Sequence, residues 1–162
     1  MDTKEKIRLA IITTHPIQYQ APVWRYLGAF PEFEMRVFFA SDFSVRGYMD
    51  RQFGVSFKWD QPLTAGYDYE FLGHDVKAGF FSMDGRRLRQ SLEEFRPDVG
   101  LVCGYFPKYF PDAILQLKRM GAKVMMRAEL TDADRSRNFL KGFVRDIVIG
   151  ALYKKVDHFI SI

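Results

Sequence analysis

The sequence predicts a doubly wound α/β fold, in which helices cover both faces of a parallel sheet. Short apolar segments typical of buried strands alternate along the chain with segments whose apolar residues recur at helical spacing. A helix between two parallel strands is the usual right-handed crossover, so this alternation indicates parallel neighbours. The length of 162 residues is that of one domain, and 48% hydrophobic residues are enough to form a core.

In the first half, the strand predicted over Lys6–Thr13 precedes a short helix. Pro22 lies in the first turn of this helix, where proline is favoured. A long polar and aromatic segment lies between the second and third strands. The predicted elements of this half are the strand Lys6–Thr13, the helix Ala21–Phe30, the strand Phe33–Ser41, the insertion Asp42–Gly66 and the strand Tyr67–Leu72.

In the second half the helix predicted over Met83–Phe95 has Ser82 or Asp84 as its N-terminal cap. The helix predicted over Pro111–Gly121 has proline at its start and glycine at its end, the usual asymmetry. The remaining predicted elements are strands over 97–103, 122–129 and 157–162 and a helix over 138–155.

Composition limits the function classes. A net charge of +4 is too small to indicate nucleic-acid binding, so we expect no nucleic-acid partner. The apolar runs are too short for a membrane span, and Met1 is followed by polar residues rather than an apolar signal segment. Cys103 is the only cysteine, which excludes an internal disulfide and fits a reducing cytoplasm. We therefore expect a cytoplasmic protein.

The fold class predicts at which edge of the sheet the loops that follow the strands lie. In doubly wound sheets, ligands bind beyond the carboxyl ends of the strands, where the strand order reverses. Four segments directly follow a predicted strand, and we expect them to share one rim: Thr14–Gln20, the insertion from Asp42, Gly104–Phe110 and Ala128–Arg137.

The turn after the first strand, "THPIQYQAPVWRYL", has no glycine until Gly28. Glycine-rich turns let backbone amides touch a diphosphate, whereas side chains as bulky as Ile17 and Tyr19 hinder that approach. The turn is therefore predicted to act through its side chains.

His15 is the main candidate in this turn, with Gln18 and Tyr19 beside it. Pro16 holds His15 in extended backbone, and near neutral pH the imidazole can donate to or accept from a phosphate or hydroxyl. The alternative is a histidine that only braces the loop.

The end of a central strand offers a second candidate pair. Arg127 has the planar fork that suits phosphate, and Glu129 can bind hydroxyl groups or brace Arg127. A purely structural Arg–Glu pair is the alternative. We find no cluster with the spacing of metal ligands.

Four stretches, in this order, resemble the N-terminal domain of GT-B glycosyltransferases of the retaining family 4: "HPIQYQAPVWRYL", "WDQPLTAGYDYEFL", "CGYFPKYFPDAILQLKRMGAKVMMRAELTD" and "LYKKVDHFISI". The resemblance implies that residues 1–162 form one Rossmann-like, acceptor-side half of a GT-B fold. It also implies that a second domain, outside this chain, holds most contacts to the nucleotide sugar. The chain ends within a predicted strand that normally continues into further structure, so we expect the first domain of a longer protein.

The implied activity is transfer of a sugar, with retention, from a nucleotide-sugar donor to a glycan, lipid or small-molecule acceptor. The donor is a substrate, and the resemblance implies neither cofactor nor metal. In the family an R-G-E or R-A-E sequence faces the cleft, which favours functional roles for Arg127 and Glu129. Half a site cannot exclude water or position a leaving group, so the chain alone is expected to be inactive.

The segment "CGYFPKYF" departs from part of the family. Many members place a histidine in this loop, where this chain has Gly104 and Tyr105, so no acid–base role transfers to the loop and His15 is the best catalytic candidate. Tyr105 is the candidate to stack on a sugar ring. Tyr109 is a further aromatic of this surface, core packing is expected for Phe106 and Phe110, and Cys103 is expected to be a small buried strand residue.

Two other functions stay open at this stage. One is a GT-B-like nucleotide-sugar epimerase, and the other is a stand-alone α/β binding or regulatory module. Basic residues gather over 86–89 and 135–155, and the second segment, in which they are interleaved with apolar residues, also suits a peripheral contact with the inner face of an anionic membrane. The alternative for that second segment is a solvated helix whose apolar face packs on the sheet.

Overall fold

The computed structural model describes residues 5–46, 48–50, 55–57, 62–73, 85–127 and 147–160. Its strands are β1 (Ile7–Thr13), β2 (Phe33–Phe39), β3 (Tyr48–Asp50), β4 (Val55–Phe57), β5 (Asp68–Phe71), β6 (Val99–Val102), β7 (Lys123–Arg127) and β8 (His158–Ile160). Its helices are α1 (Ala21–Gly28), α2 (Phe43–Arg46), α3 (Arg86–Phe95), α4 (Tyr109–Arg119) and α5 (residues 147–153).

Six strands form one parallel sheet in the order β5-β2-β1-β6-β7-β8. Numbered along the chain within that sheet, this is the Rossmann order 3-2-1-4-5-6. The order reverses between β1 and β6, the two central strands. The predicted doubly wound class is confirmed.

The alternation of side chains along β1 explains why both faces are covered. Ala10 and Ile12 belong to one buried cluster with α3 and α4, whereas Leu9 and Ile11 belong to the cluster that contains Trp24 of α1. Because both faces exclude water, the strand is an almost continuous apolar run.

Several predicted helix boundaries are wrong by a few residues, and the two clearest are the end of α1 and the start of α4. α1 ends at Gly28, not Phe30, since the N–H groups of Ala29 and Phe30 bond to carbonyls three residues back in a tightened last turn before Pro31. α4 begins at Tyr109, two residues before Pro111. Pro111 is tolerated there because the first four N–H groups of a helix have no intrahelical partner.

The interior of the insertion was also missed. Within this polar and aromatic segment, for which no element was predicted, α2 is followed by an antiparallel pair, β3 and β4. The caps Ser82 and Asp84 lie outside the described residues, as do residues 138–146 of the predicted last helix. Within α5, Leu152 is buried in the core, whereas Ile147 is exposed. Within the described ranges, no helix combines the length and apolarity needed to cross a membrane.

Candidate functional site

A cavity of about 340 Å³ opens beyond the carboxyl ends of the central strands, where the strand order reverses. This is the position at which doubly wound sheets bind ligands. The loops after β1 and β6 and the end of β7 form its walls. The lining residues are Thr13, Thr14, Ile17, Tyr19, Gln20, Cys103, Gly104, Tyr105, Phe106, Phe110 and Arg127.

Hydrogen bonds attach the loop after β1 to the loop after β2. The carbonyl of Thr14 accepts the N–H of Ser41 at 2.9 Å, and the carbonyl of Pro16 accepts the hydroxyl of Ser44 at 2.9 Å. Ser41 and Ser44 are themselves buried, so these bonds are shielded from water. The wall of the cavity that this loop forms is therefore held in place by its neighbour.

The start of α1 has few backbone donors for an anion. The N–H groups of Gln20 and Ala21 both bond to the carbonyl of Ile17, and Pro22 has no N–H. A helix start that binds phosphate needs such groups unoccupied. The polar contacts that this loop offers the cavity thus come mainly from the side chains of Thr14 and Gln20.

His15 does not line the cavity. It is half-buried behind the wall, and its Nδ1 lies 2.9 Å from the hydroxyl oxygen of Thr14, which does line the cavity. Burial lowers the pKa of His15 from its ordinary value of 6.5, so the imidazole is mainly neutral at pH 7. Through this contact with Thr14, His15 can act on a ligand in the cavity.

Of the other two candidate residues in this turn, one lines the cavity and one does not. Gln18 is exposed and does not line the cavity, whereas Tyr19 lines it with 58% of its surface exposed. The sequence reasoning missed Gln20, which lines the cavity at only 6% exposure. Its burial depends on how α1 packs against the sheet, and nothing in the local sequence signals it.

Arg127, at the end of β7, lines the cavity opposite the start of α1, while Glu129 lies outside the described residues. The Arg–Glu pair therefore stays a prediction. Cys103 directly follows β6 and donates its N–H to the carbonyl of Ile12 at 2.9 Å, but it is only half-buried, so its predicted position as a buried strand residue is confirmed only in part. Burial of the Cys103 thiol raises the pKa of the thiol to about 12, although the nearby charge of Arg127 acts in the opposite direction.

The aromatic side chains of the segment that follows β6 lie in different environments. Tyr105 is half-buried and lines the cavity, and Phe110 lines it from the core at 3% exposure. Phe106 is 56% exposed, so its predicted core position is wrong. Tyr109 is also excluded from the stacking surface because it is buried, with its hydroxyl donating to the carbonyl of Phe38 at 3.2 Å.

Gly104 sets the path of this loop. Its φ of +148° is rarely adopted by other residues, and a Cβ there would lie 2.7 Å from the ring of Phe110. The close contact places the Phe110 ring against the cavity wall. Among the described residues, no group of three or more His, Cys, Asp or Glu side chains is arranged to hold a metal ion.

No family model and no curated protein matches this chain. Among solved structures, it is similar to a putative UDP-N-acetylglucosamine 2-epimerase from Listeria monocytogenes, with 17% identity and a TM-score of 0.57 over 96% of this chain. The chain spans 38% of that protein. It is also similar to the response regulator domain of Thermotoga maritima CheB, with 14% identity and a TM-score of 0.45 over 97% of this chain and 78% of that one. The first likeness supports the Rossmann-like fold alone.

Proposed function

We propose that this chain is the acceptor-side half of a two-domain enzyme that acts on a nucleotide sugar, and that this enzyme is a retaining glycosyltransferase with the GT-B fold. The observation that carries the proposal is the cavity at the reversal of strand order, because it combines hydroxyl, amide and guanidinium groups with aromatic rings. Sugar sites use this combination, in which rings pack on C–H faces and polar groups meet hydroxyls.

The polar groups support distinct roles on opposite walls. Arg127 offers a guanidinium fork for a phosphate or carboxylate at the end of β7. Thr14 offers a hydroxyl on the α1 side, with His15 orienting it from behind through the 2.9 Å contact. Tyr105 and Tyr19 offer ring surface in the lining of the same cavity.

The proposed chemistry requires no base from this chain. In a same-face transfer the nucleotide diphosphate departs as the acceptor hydroxyl attacks, and the departing phosphate takes the hydroxyl proton. The chain's part is to hold the acceptor and to exclude water, and the second domain supplies the other wall. The nucleotide sugar and a glycan, lipid or small-molecule acceptor are the partners, with no separate cofactor and no metal. A peripheral membrane contact would bring a lipid acceptor to the site.

A nucleotide-sugar epimerase is an equal second candidate. The likeness to the Listeria protein favours it, since that protein is named as a putative UDP-N-acetylglucosamine 2-epimerase. Epimerisation changes the configuration of the sugar without an acceptor, so the two candidates differ in their products.

The experiment incubates the full-length protein with UDP-N-acetylglucosamine, with and without a panel of acceptors, and follows the sugar by NMR. A new glycosidic product that requires acceptor indicates the transferase. An isomerised nucleotide sugar formed without acceptor indicates the epimerase instead. If neither product forms across a panel of nucleotide sugars and acceptors, the proposed function is overturned. If residues 1–162 alone transfer the sugar, the assignment as half an enzyme is overturned.

Arg127→Gln is the matched test of the site. It should lower turnover about 100-fold or more with little change in Tm, because it removes a charge that acts on the ligand. Lys123→Gln removes the same charge from the opposite end of β7, far from the cavity, and should leave turnover unchanged. Equal losses in the two variants would show that net charge, not the site, is responsible.

A further inference from the structure

The carboxamide of Gln20 is buried at the cavity with an unsatisfied acceptor. Gln20 is 6% exposed, and no described residue donates a hydrogen bond to its Oε1 atom. The residue lines the cavity and stands immediately before the first residue of α1. A buried carbonyl oxygen without a donor destabilises a protein, so natural structures rarely retain one without a reason.

The obvious internal partners do not satisfy it. Gln20 makes no capping bond to α1, although an N-cap side chain often does so. The indole N–H of Trp24 lies one helical turn further on, on the same face of α1, and it too has no partner in the part of the chain that the structure describes. The two groups are therefore not bonded to each other.

We infer that Gln20 is a ligand-binding residue: its Oε1, which is closed to water in the unliganded chain, turns about the soft terminal torsion of the side chain to accept a hydrogen bond from a hydroxyl or amide N–H of the molecule in the cavity. In taking a sugar as that molecule, the inference rests on the proposed function. A sugar hydroxyl supplies the missing donor and remains neutral, which suits a wall where the backbone N–H groups of Gln20 and Ala21 are already used. The sugar hydroxyls then face α1, and any phosphate or carboxylate faces Arg127 on the opposite wall.

The first test needs no ligand. Gln20→Met keeps the length of the side chain and removes the unsatisfied oxygen, so it should raise Tm by about 2–4 °C. Gln116 is a matched control, because its Oε1 is also buried with no partner among the described ranges, while its Nε2 donates to the carbonyl of Gly85 at 2.8 Å. Gln116→Met should lower Tm. A lower Tm for Gln20→Met as well would indicate a structural role and overturn the inference.

The second test titrates the ¹⁵N-labelled chain with N-acetylglucosamine and, separately, with inorganic phosphate. The sugar should shift the side-chain amide signals of Gln20, and Gln20→Met should weaken sugar binding about tenfold while phosphate binding is unchanged. Gln18→Met, on the same loop but away from the cavity, should bind the sugar as the wild type does.

Equal responses of wild type and Gln20→Met to the sugar, including no response in either, overturn the inference. The two proposals fail separately. An active full-length enzyme with an unresponsive Gln20 rejects only this inference. An inactive enzyme in which Gln20→Met is stabilised and loses sugar binding rejects only the proposed reaction.

Discussion

The hydroxyl oxygen of Thr14 lies 2.9 Å from Nδ1 of His15, and only Thr14 lines the cavity. The sequence singles out His15, but the structure puts one residue between it and a ligand. The Thr14 hydroxyl can donate to Nδ1 or accept from it, so the tautomer of His15 decides which way that hydroxyl points. His15 is best understood as a positioning residue.

Acidification should destabilise the protein through His15. Its pKa is lowered from 6.5 by burial, so between pH 6.5 and the lower folded-state value the unfolded chain binds a proton that the folded chain does not. Stability is therefore complete above pH 6.5 and is lost as pH falls through that window. Urea unfolding at about pH 5 and about pH 7.5 measures the loss.

His15→Asn keeps a polar side chain beside Thr14 but does not titrate in this range. The variant should lose less stability between the two pH values than the wild type. All other titrating groups are common to both proteins, so their contributions cancel in the comparison. Identical pH dependence in the two proteins would contradict a buried, neutral His15.

Gly104→Ala should destabilise the protein by about 2–4 kcal/mol. The backbone at φ +148° disfavours alanine, and the added Cβ would lie 2.7 Å from the ring of Phe110. Gly121→Ala is the control, since Gly121 also has a positive φ, +78°, but open space around its Cβ position. It should cost about 1–2 kcal/mol from the backbone alone.

The double variant Gly104→Ala/Phe110→Leu measures how much of the destabilisation by Gly104→Ala comes from the steric clash with the Phe110 ring. If the ring is the obstacle, the two substitutions together should destabilise less than the sum of their separate effects. Chemical denaturation of the four proteins gives the coupling free energy. Additive effects would mean that the backbone strain at Gly104, and not Phe110, sets the cost.

The sheet was predictable because buried parallel strands need nearly continuous apolar runs, and "IRLAIIT" and "VGLV" fit little else. The antiparallel pair β3 and β4 was not, since strands of three residues carry too little periodicity. The rim of the site follows from the fold class. The burial of Gln20 and the exposure of Phe106 are set by long-range packing, which no local pattern records.

Asp157 joins the edge strand β8 to the sheet. Its Oδ2 accepts the N–H of Val124 at 2.7 Å and the ammonium of Lys118 at 2.9 Å, and these contacts lower its pKa from 3.8. The stability that they contribute is present above pH 3.8 and is lost as pH falls through the lower folded-state value. Asp157→Asn should lower Tm at neutral pH and reduce the loss of stability in acid.

Lys118→Gln and Lys123→Gln test the source of this effect. Lys118 contacts both carboxylate oxygens, whereas Lys123 is 4.0 Å away and 71% exposed. Only Lys118→Gln should lower Tm measurably, because exposed pairs at that distance contribute little. Equal decreases in Tm for the two variants would indicate an effect of general surface charge, and not a specific contact between Lys118 and Asp157 that holds β8 on the sheet.

Cys103 should react slowly in the folded protein. A thiol pKa of about 12 leaves about one thiolate in ten thousand molecules at pH 8, against about one in ten at the ordinary value of 9.0. Since Cys103 is the only cysteine, mass spectrometry after iodoacetamide treatment reports this site alone. Alkylation should be at least about a hundredfold slower in buffer than in denaturant.

The same thiol reports on the cavity that it lines. A ligand in the cavity should slow alkylation further, because it covers the approach to the thiol and binds only the folded state. Cys103→Ala should abolish labelling while keeping the fold, which identifies the modified site. Labelling in buffer as fast as in denaturant would show that the thiol is freely accessible, and unchanged labelling under a saturating ligand would place that ligand elsewhere on the protein.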